Sequence, residues 1–270
     1  AAAAEPKLRV AMLTGCVQRA IFGDVNAATA RVLSAYGCEV VAPSEQACCG
    51  ALELHAGRQQ SAKERARALI WVLDDPSIDR IVVNSAGCGS TLKEYGELFR
   101  DEPSLASRAE VFAAKVCDVH ELLAELEPPT QLRPLEISVA YHDACHLAHA
   151  QGVRSQPREV LTSIPGVTLR EIPDAAICCG SAGIYNLINP EPAAELGRLK
   201  AANVRSVAPD ALAAANPGCL LQISANLGAE GEPIPTFHPI ELVDASLRGE
   251  DAAGFLARRR ALLKSAGSPT

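Results

Sequence analysis

The sequence predicts an α/β protein made of two tandem Rossmann-like units, each built on a parallel sheet. Three observations predict it. Short apolar runs rich in β-branched residues alternate with longer helical stretches, the pattern of strands covered on both faces. Eight of the ten cysteines fall into two quartets related by a single offset of 129 to 131 residues, so the chain repeats itself. Between the copies, ELEPPTQLRPLE carries three prolines, which sustain neither a helix interior nor a central strand.

The first unit is expected over residues 7–125, with strands in LRVAML, CEVVAP and RIVVNS. SAKERARALIWVLDD is read as one of its helices. Gly37 is placed as the residue that ends a helix, and Asp24 as the cap that begins one. Residues 126–136 form the linker. The second unit, 137–250, repeats the alternation with ISVAYH, VTLREI, LAAAN and IPTFHP. Pro190 and Pro192 stand where the helix in EPAAELGRLKAANVRSV begins. Residues 251–270 read as a polar tail, with Arg258, Arg259 and Arg260 at a solvated helix end.

Composition narrows the function. The 270 residues are 48% hydrophobic and 21% charged, which is globular, and the net charge of −7 argues against nucleic acid, whose phosphates need basic patches. No apolar run approaches the roughly 18 residues of a membrane span. The start AAAAEPKLRV has neither the basic nor the apolar region of a signal peptide. A cytoplasmic protein is expected, held at the inner face of a membrane only through partners. In a reducing compartment ten cysteines point to metal, cluster or redox chemistry rather than a disulfide framework.

The quartets have the register such chemistry needs. LRVAMLTGC ends at Cys16 and ISVAYHDAC at Cys145; the triplets Cys48-Cys49-Gly50 and Cys178-Cys179-Gly180 follow 32 and 33 positions later. Cys88 and Cys219 complete the sets, 39 and 40 positions beyond Cys49 and Cys179. All eight are expected at the carboxyl ends of strands, where open α/β sheets gather their ligands. A loop can aim adjacent thiols at one site, and Gly50 or Gly180 relieves the crowding. Helices are expected to follow Cys88 and Cys219, their positive ends favouring thiolate. Four thiolates suit an iron–sulfur cluster or one tetrahedral zinc. Adjacent cysteines without any Cys-x-x-Cys knuckle favour the cluster and leave zinc, or free thiols, open.

With these residues in place, the chain resembles the cysteine-rich domain shared by heterodisulfide reductases, lactate-utilisation proteins and the glycolate oxidase iron–sulfur subunit. GCVQRAIFGDVNAATARVL, CCGALELHAG, NSAGCGSTLKEYG, YHDACHLAHAQGV, CCGSAGIYN and NPGCLLQI are similar to the last of these across residues 8–247. The resemblance implies one or two iron–sulfur clusters of the [4Fe–4S] kind, held by Cys16, Cys48, Cys49 and Cys88 and by Cys145, Cys178, Cys179 and Cys219. It further implies an oxidoreductase subunit without its own substrate site. Its partners would be flavoprotein subunits carrying FAD and a two-cluster ferredoxin-like module, with electrons passing from glycolate toward the quinone pool. That ferredoxin module is missing here, so the chain is expected to be a portion of such a subunit or a separately encoded domain, with AAAAEP the stub of a linker. The heterodisulfide branch has a further cysteine where this chain has Thr91 and Gln222. Two other readings remain: a disulfide or quinone reductase of the heterodisulfide and lactate-utilisation type, and a structural docking module whose quartets hold zinc or nothing.

Other residues are weighed on the same terms. Cys38 and Cys117, the latter aligned through AKVCDVHELL with IPTFHPIELV, read as buried small hydrophobes. His142, His146 and His149 surround Cys145; local hydrogen bonding is the plainer reading, and His146 is the one chosen to tune the metal centre. His55 is treated likewise, more weakly, and His120 and His238 receive no role. A thiol hydrolase built on Cys145 and His146 does not account for seven further thiols in register. No G-x-G-x-x-G or phosphate loop is present, so a flavin or nicotinamide belongs on another subunit.

Overall fold

The computed structural model describes residues 6–129, 132–229 and 231–266. Residues 130 and 131 of the expected linker, the AAAAE of the opening and the last four residues of the expected tail lie outside them. Two four-stranded parallel sheets carry the chain. The first has the order β2-β1-β3-β4, with β1 Leu8–Leu13, β2 Cys38–Val41, β3 Arg80–Val83 and β4 Val116–Asp118. The second has the order β6-β5-β7-β8, with β5 Ile137–His142, β6 Val167–Glu171, β7 Ala211–Ala214 and β8 Thr236–Phe237. Parallel neighbours need crossovers, and helices such as Gly23–Ala35, Gln59–Leu73 and Pro190–Ser206 supply them.

The registers of the two sheets coincide. Leu8 faces Cys38 as Ile137 faces Val167, and Val82 faces Cys117 as Ala213 faces Phe237. The alignment of AKVCDVHELL with IPTFHPIELV is therefore structural. Each member ends in a capping box, Asp118 with Glu121 and His238 with Glu241, which starts the next helix.

Strand alternation divides the core in three. Val10 and Val82 from the first sheet, with Val139, Tyr141, Ala213 and Phe237 from the second, fill a core shared by both halves. Their neighbours Ala11 and Leu13 turn into the first half's own core, and Ala140 into that of the second. Across the shared core, Arg31 on Gly23–Ala35 makes a two-pronged ion pair at 2.7 and 2.8 Å with the buried carboxylate of Asp244 on Pro239–Arg248. The two sheets are locked together, so the loops at their carboxyl ends face one another.

Three local expectations are corrected. Asp24 is the second residue of Gly23–Ala35 rather than its cap; the chain turns into that helix at Phe22, and no side chain caps it. The segment read as a polar tail contains a helix, Ala252–Ala266, whose Phe255 and Leu256 enter the shared core. Arg258, Arg259 and Arg260 lie within this helix rather than at its end; Arg259 pairs with Glu241 and covers the Phe237 ring.

Candidate functional site

All eight quartet cysteines stand beyond the carboxyl ends of β1, β2 and β3 or of β5, β6 and β7. Cys16 and Cys145 follow β1 and β5 by three residues, each just ahead of a short helical turn. The Cys-Cys-Gly loops come after β2 and β6. Cys88 and Cys219 correct the expectation that helices follow them. They lie inside the first turns of Ala86–Lys93 and Pro217–Ala229, three residues beyond Ser85 and Asn216.

Glycine completes each triplet for a backbone reason. Gly50 and Gly180 have φ of +83° and +92°, left-handed values that a side chain resists. A Cβ at Gly50 would stand 3.0 Å from the Ala62 carbonyl oxygen, and one at Gly180 would overlap that of Ala193. The turn aims the glycine N–H back at the first cysteine of the pair: Gly50 N to Cys48 Sγ is 3.5 Å, and Gly180 N to Cys178 Sγ is 3.3 Å.

The quartets are two copies of one hydrogen-bonded chain, Cys16–Cys48–Cys49–Cys88 and Cys145–Cys178–Cys179–Cys219, with Cys16 Sγ 3.5 Å from Cys48 Sγ. Protons are shared unequally along it. Hydrogen bonds from Cys16 and Cys49 lower the Cys48 thiol, while those two donors are raised by the same bonds and by burial. The bond from Cys49 lowers Cys88, and the Ser85 hydroxyl adds to it. The second half alternates in the same way: Cys145 and Cys179 up, Cys178 and Cys219 down. On Cys219 the bond from Cys179 leads, with help from His142 and from Asn216, whose Nδ2 is 3.5 Å from the sulfur. Each quartet thus places soft donors together, half of them already inclined to thiolate, a donor set suited to iron–sulfur or zinc chemistry.

The first quartet opens on a cavity of about 360 Å³ between the halves. Its walls include Cys16, Cys48, Cys49 and Cys88 on one side and Ser181, Asn186 and Asn216 on the other. His55, at the end of the helix Ala51–His55, meets His146 edge to face across it, with ring centroids 5.3 Å apart. His146 therefore turns toward the first quartet, although it adjoins Cys145 in sequence. His149 turns away and contacts Arg154, 2.9 Å from its Nδ1.

Beside the second quartet stand His142, which the sequence offers together with His146 and His149 without preferring it, and Lys200, which it does not single out. His142, the last residue of β5, is fully buried with one ring nitrogen within 4.8 Å of the Cys179 and Cys219 sulfurs. Lys200 is also fully buried; its Nζ donates to the carbonyls of Asp174 and Ala175 at 3.1 and 3.3 Å, holding the loop that leads to Cys178. A signal existed, since the register places Leu13 opposite Val83 as it places His142 opposite Ala214. A histidine in place of an apolar strand residue is visible once the repeat is aligned.

The remaining residues are structural. Asn26 donates to the Thr14 carbonyl and accepts from Asn84. Burial raises the Cys38 thiol, as fits its reading as a buried small hydrophobe; Cys117 is half-buried against the shared core, where its surroundings push its thiol up to about 12. His120 and His238 stack at the shared core, ring centroids 5.4 Å apart. Thr91 Oγ1 donates to the Gly87 carbonyl, and Gln222 Nε2 to that of Ala193.

The cysteine-rich domain model that takes its name from the Cys-Cys-Gly motif matches the chain twice, over residues 10–93 and 139–224. The chain belongs to this cysteine-rich domain family. The probable glycolate oxidase iron–sulfur subunit of Bacillus subtilis (strain 168) is 38% identical over 227 residues, 83% of this chain and 51% of its own length. The glycolate oxidase iron–sulfur subunit of Escherichia coli (strain K12) is 36% identical over 248 residues, 90% of this chain and 59% of its own. The chain thus spans between half and three-fifths of these curated relatives. Among solved structures, a hypothetical protein from Helicobacter pylori superposes with a TM-score of 0.61 at 12% identity, covering 93% of this chain and 51% of that one. This likeness concerns the fold. Among the described residues no helix is long and apolar enough to cross a membrane.

Proposed function

We propose that this chain is the cysteine-rich part of an iron–sulfur electron-transfer subunit in a flavin-dependent oxidoreductase of the glycolate oxidase type. The observation that carries the reading is the pair of cysteine quartets, brought to the same place on the two sheets with their sulfurs in the same hydrogen-bonded order. Cys16, Cys48, Cys49 and Cys88 hold one centre, and Cys145, Cys178, Cys179 and Cys219 the other. Bound clusters would supply one-electron transfer.

The chain's own residues set the conditions for it. The Gly50 and Gly180 amides, the Ser85 hydroxyl and the Asn216 amide donate to sulfur and stabilise its negative charge. Buried Cys49 and Cys179 exclude water from the inner side of each centre. The cavity beside the first quartet leaves one face reachable by a redox partner. FAD and the glycolate site belong to partner flavoprotein subunits, and a two-cluster ferredoxin-like module relays electrons toward the quinone pool. The complex works in the cytoplasm, meeting the membrane through its partners. Support comes from the similarity to two subunits named for glycolate oxidase.

The test is iron, acid-labile sulfide and zinc per chain, on protein purified without oxygen, with EPR spectra before and after reduction. Roughly four irons and four sulfides per filled quartet, with a signal lost on Cys49→Ser or Cys179→Ser, are expected. Zinc without sulfide or signal would make the quartets structural clamps and overturn the reading.

A further inference from the structure

His142 is a buried polar side chain with no conventional partner. It is fully buried, and among the described residues neither ring nitrogen has a hydrogen-bond partner of nitrogen or oxygen. The Cys219 sulfur, which His142 helps to hold as thiolate, can serve only one of the two nitrogens, so a buried ring nitrogen is left in need of a partner. What lies near it is sulfur: one ring nitrogen, Cys179 Sγ and Cys219 Sγ all fall within 4.8 Å of one another. All three are buried, and they are close enough together to share one metal ion. The neighbouring imidazoles are committed elsewhere, His146 to the His55 ring and His149 to Arg154.

Among the described residues the first half has nothing equivalent. In the shared register the place of His142 belongs to Leu13, which is buried in the first half's own core. Lys200, near the second quartet, likewise has no charged counterpart: the matching turn of Gln59–Leu73 contributes apolar Leu69. Two sites built on one repeat therefore differ in donor set and in the charge beside them. The cavity between the halves is lined by the first quartet.

We propose that His142 is a direct ligand of the second metal centre, bound through a ring nitrogen beside Cys179 and Cys219, so that an all-sulfur centre and a mixed imidazole–thiolate centre share one chain. The inference rests on the metal-binding reading above. Imidazole and thiolate together are an established donor set for both iron–sulfur and zinc sites. Binding would satisfy one orphan nitrogen of His142 and fix the ring at the end of β5.

The experiment uses the full chain, purified without oxygen and labelled with ¹⁵N-histidine. Pulsed EPR on the reduced protein reads nitrogen directly. One of the two reduced signals is expected to carry a strong coupling from bound histidine nitrogen that changes with the label. His142→Leu should abolish that coupling and leave the other signal as it was. Should the second centre take zinc, His142 would stand with three of the four thiolates, and the zinc absorption edge is expected to show a mixed nitrogen–sulfur shell that becomes all-sulfur in His142→Leu, where the fourth thiolate takes its place. Loaded protein with no strongly coupled histidine nitrogen, or with an all-sulfur zinc shell, overturns the ligand role and leaves the metal-binding reading standing. Protein with neither iron, sulfide nor zinc overturns both. If His142→Leu does not fold, the labelled wild-type protein still decides, because the coupling is read without any substitution.

Discussion

Asn216 Oδ1 accepts the backbone N–H of Gly87 at 3.2 Å, so a residue of the second half caps the first turn of a helix in the first. The Ala86 N–H beside it goes to the Ala215 carbonyl at 3.1 Å. These bonds free Ser85, at the capping position, to donate to Cys88 instead. Asn216 also serves its own half, with its Nδ2 on Cys219 Sγ. Asn216→Ala should therefore have two separable effects. Lost capping lowers stability by about 1–2 kcal/mol in urea unfolding. The lost donor to sulfur lowers the potential of the second centre in a redox titration, because hydrogen bonds to sulfur favour the reduced, more negative form. An equal shift of both centres would show that the residue acts through the interface alone.

The two Cys-Cys-Gly glycines should not be equally replaceable. Both are left-handed, and alanine there costs about 1–2 kcal/mol from backbone conformation alone. At Gly50 the new Cβ meets Ala62 oxygen at 3.0 Å, a contact that a small backbone shift relieves. At Gly180 it overlaps the Ala193 carbonyl, near the start of Pro190–Ser206, and the helix itself must move. Gly180→Ala should be the more destabilising in urea and should deplete metal at the second centre. Equal losses for the two variants would remove packing as the reason for the difference.

How much of this was written in the sequence depends on how far each feature reaches. LRVAML and ISVAYH are β1 and β5 residue for residue, because a buried strand in a parallel sheet is a local apolar run. Gly37 and Pro190 mark helix ends by their own backbone geometry. The cysteine register also reads directly, since a repeat preserves spacing. What depends on docking the two halves does not. Nothing near His55 in the sequence indicates His146 across the cavity, and nothing near Gly87 indicates Asn216. The helix Ala252–Ala266 was hidden because a few apolar residues, Phe255 and Leu256 among them, anchor a stretch rich in arginine. His142 escaped for a different reason. Three histidines around one cysteine invite a choice by adjacency in sequence, whereas burial against Cys179 and Cys219 selects the one that ends the strand.

Tyr95 supports the first Cys-Cys-Gly loop. It is fully buried, stacks on Phe112 and donates its hydroxyl to the Cys49 carbonyl at 2.7 Å. Tyr95→Phe keeps the ring packing and strands that carbonyl within the Cys-Cys-Gly loop. A loss of about 1–3 kcal/mol is expected, the cost of an unsatisfied buried acceptor. The first centre's EPR signal should broaden as its loop loosens, with the second unchanged. Stability within error of wild type would mean that another donor, or water, takes the place of the hydroxyl.

His238 should give folding stability a dependence on mildly acidic pH. Burial, with the His120 ring beside it, holds its pKa well below the usual 6.5. Its Nδ1 accepts the Ile240 N–H at 3.1 Å, so a proton there would also break the helix cap. Asp118 next to His120, and Glu241 with its partner Arg259, are the charged groups of the two capping boxes and their surroundings. The sign follows from proton counting. Below the unfolded value of 6.5 the unfolded chain takes up a proton that the folded chain refuses, so stability falls as pH drops. The contribution is fully present above that value and is lost at up to about 1.4 kcal/mol per pH unit below it. His238→Asn keeps a capping oxygen, removes the titrating ring and leaves Glu241 in place. Urea unfolding from about pH 8 to about pH 5 should then show a shallower acid-side slope in the variant, by roughly one proton. Identical slopes would mean that His238 takes up its proton in the folded state and that the acid sensitivity of this protein resides in other groups.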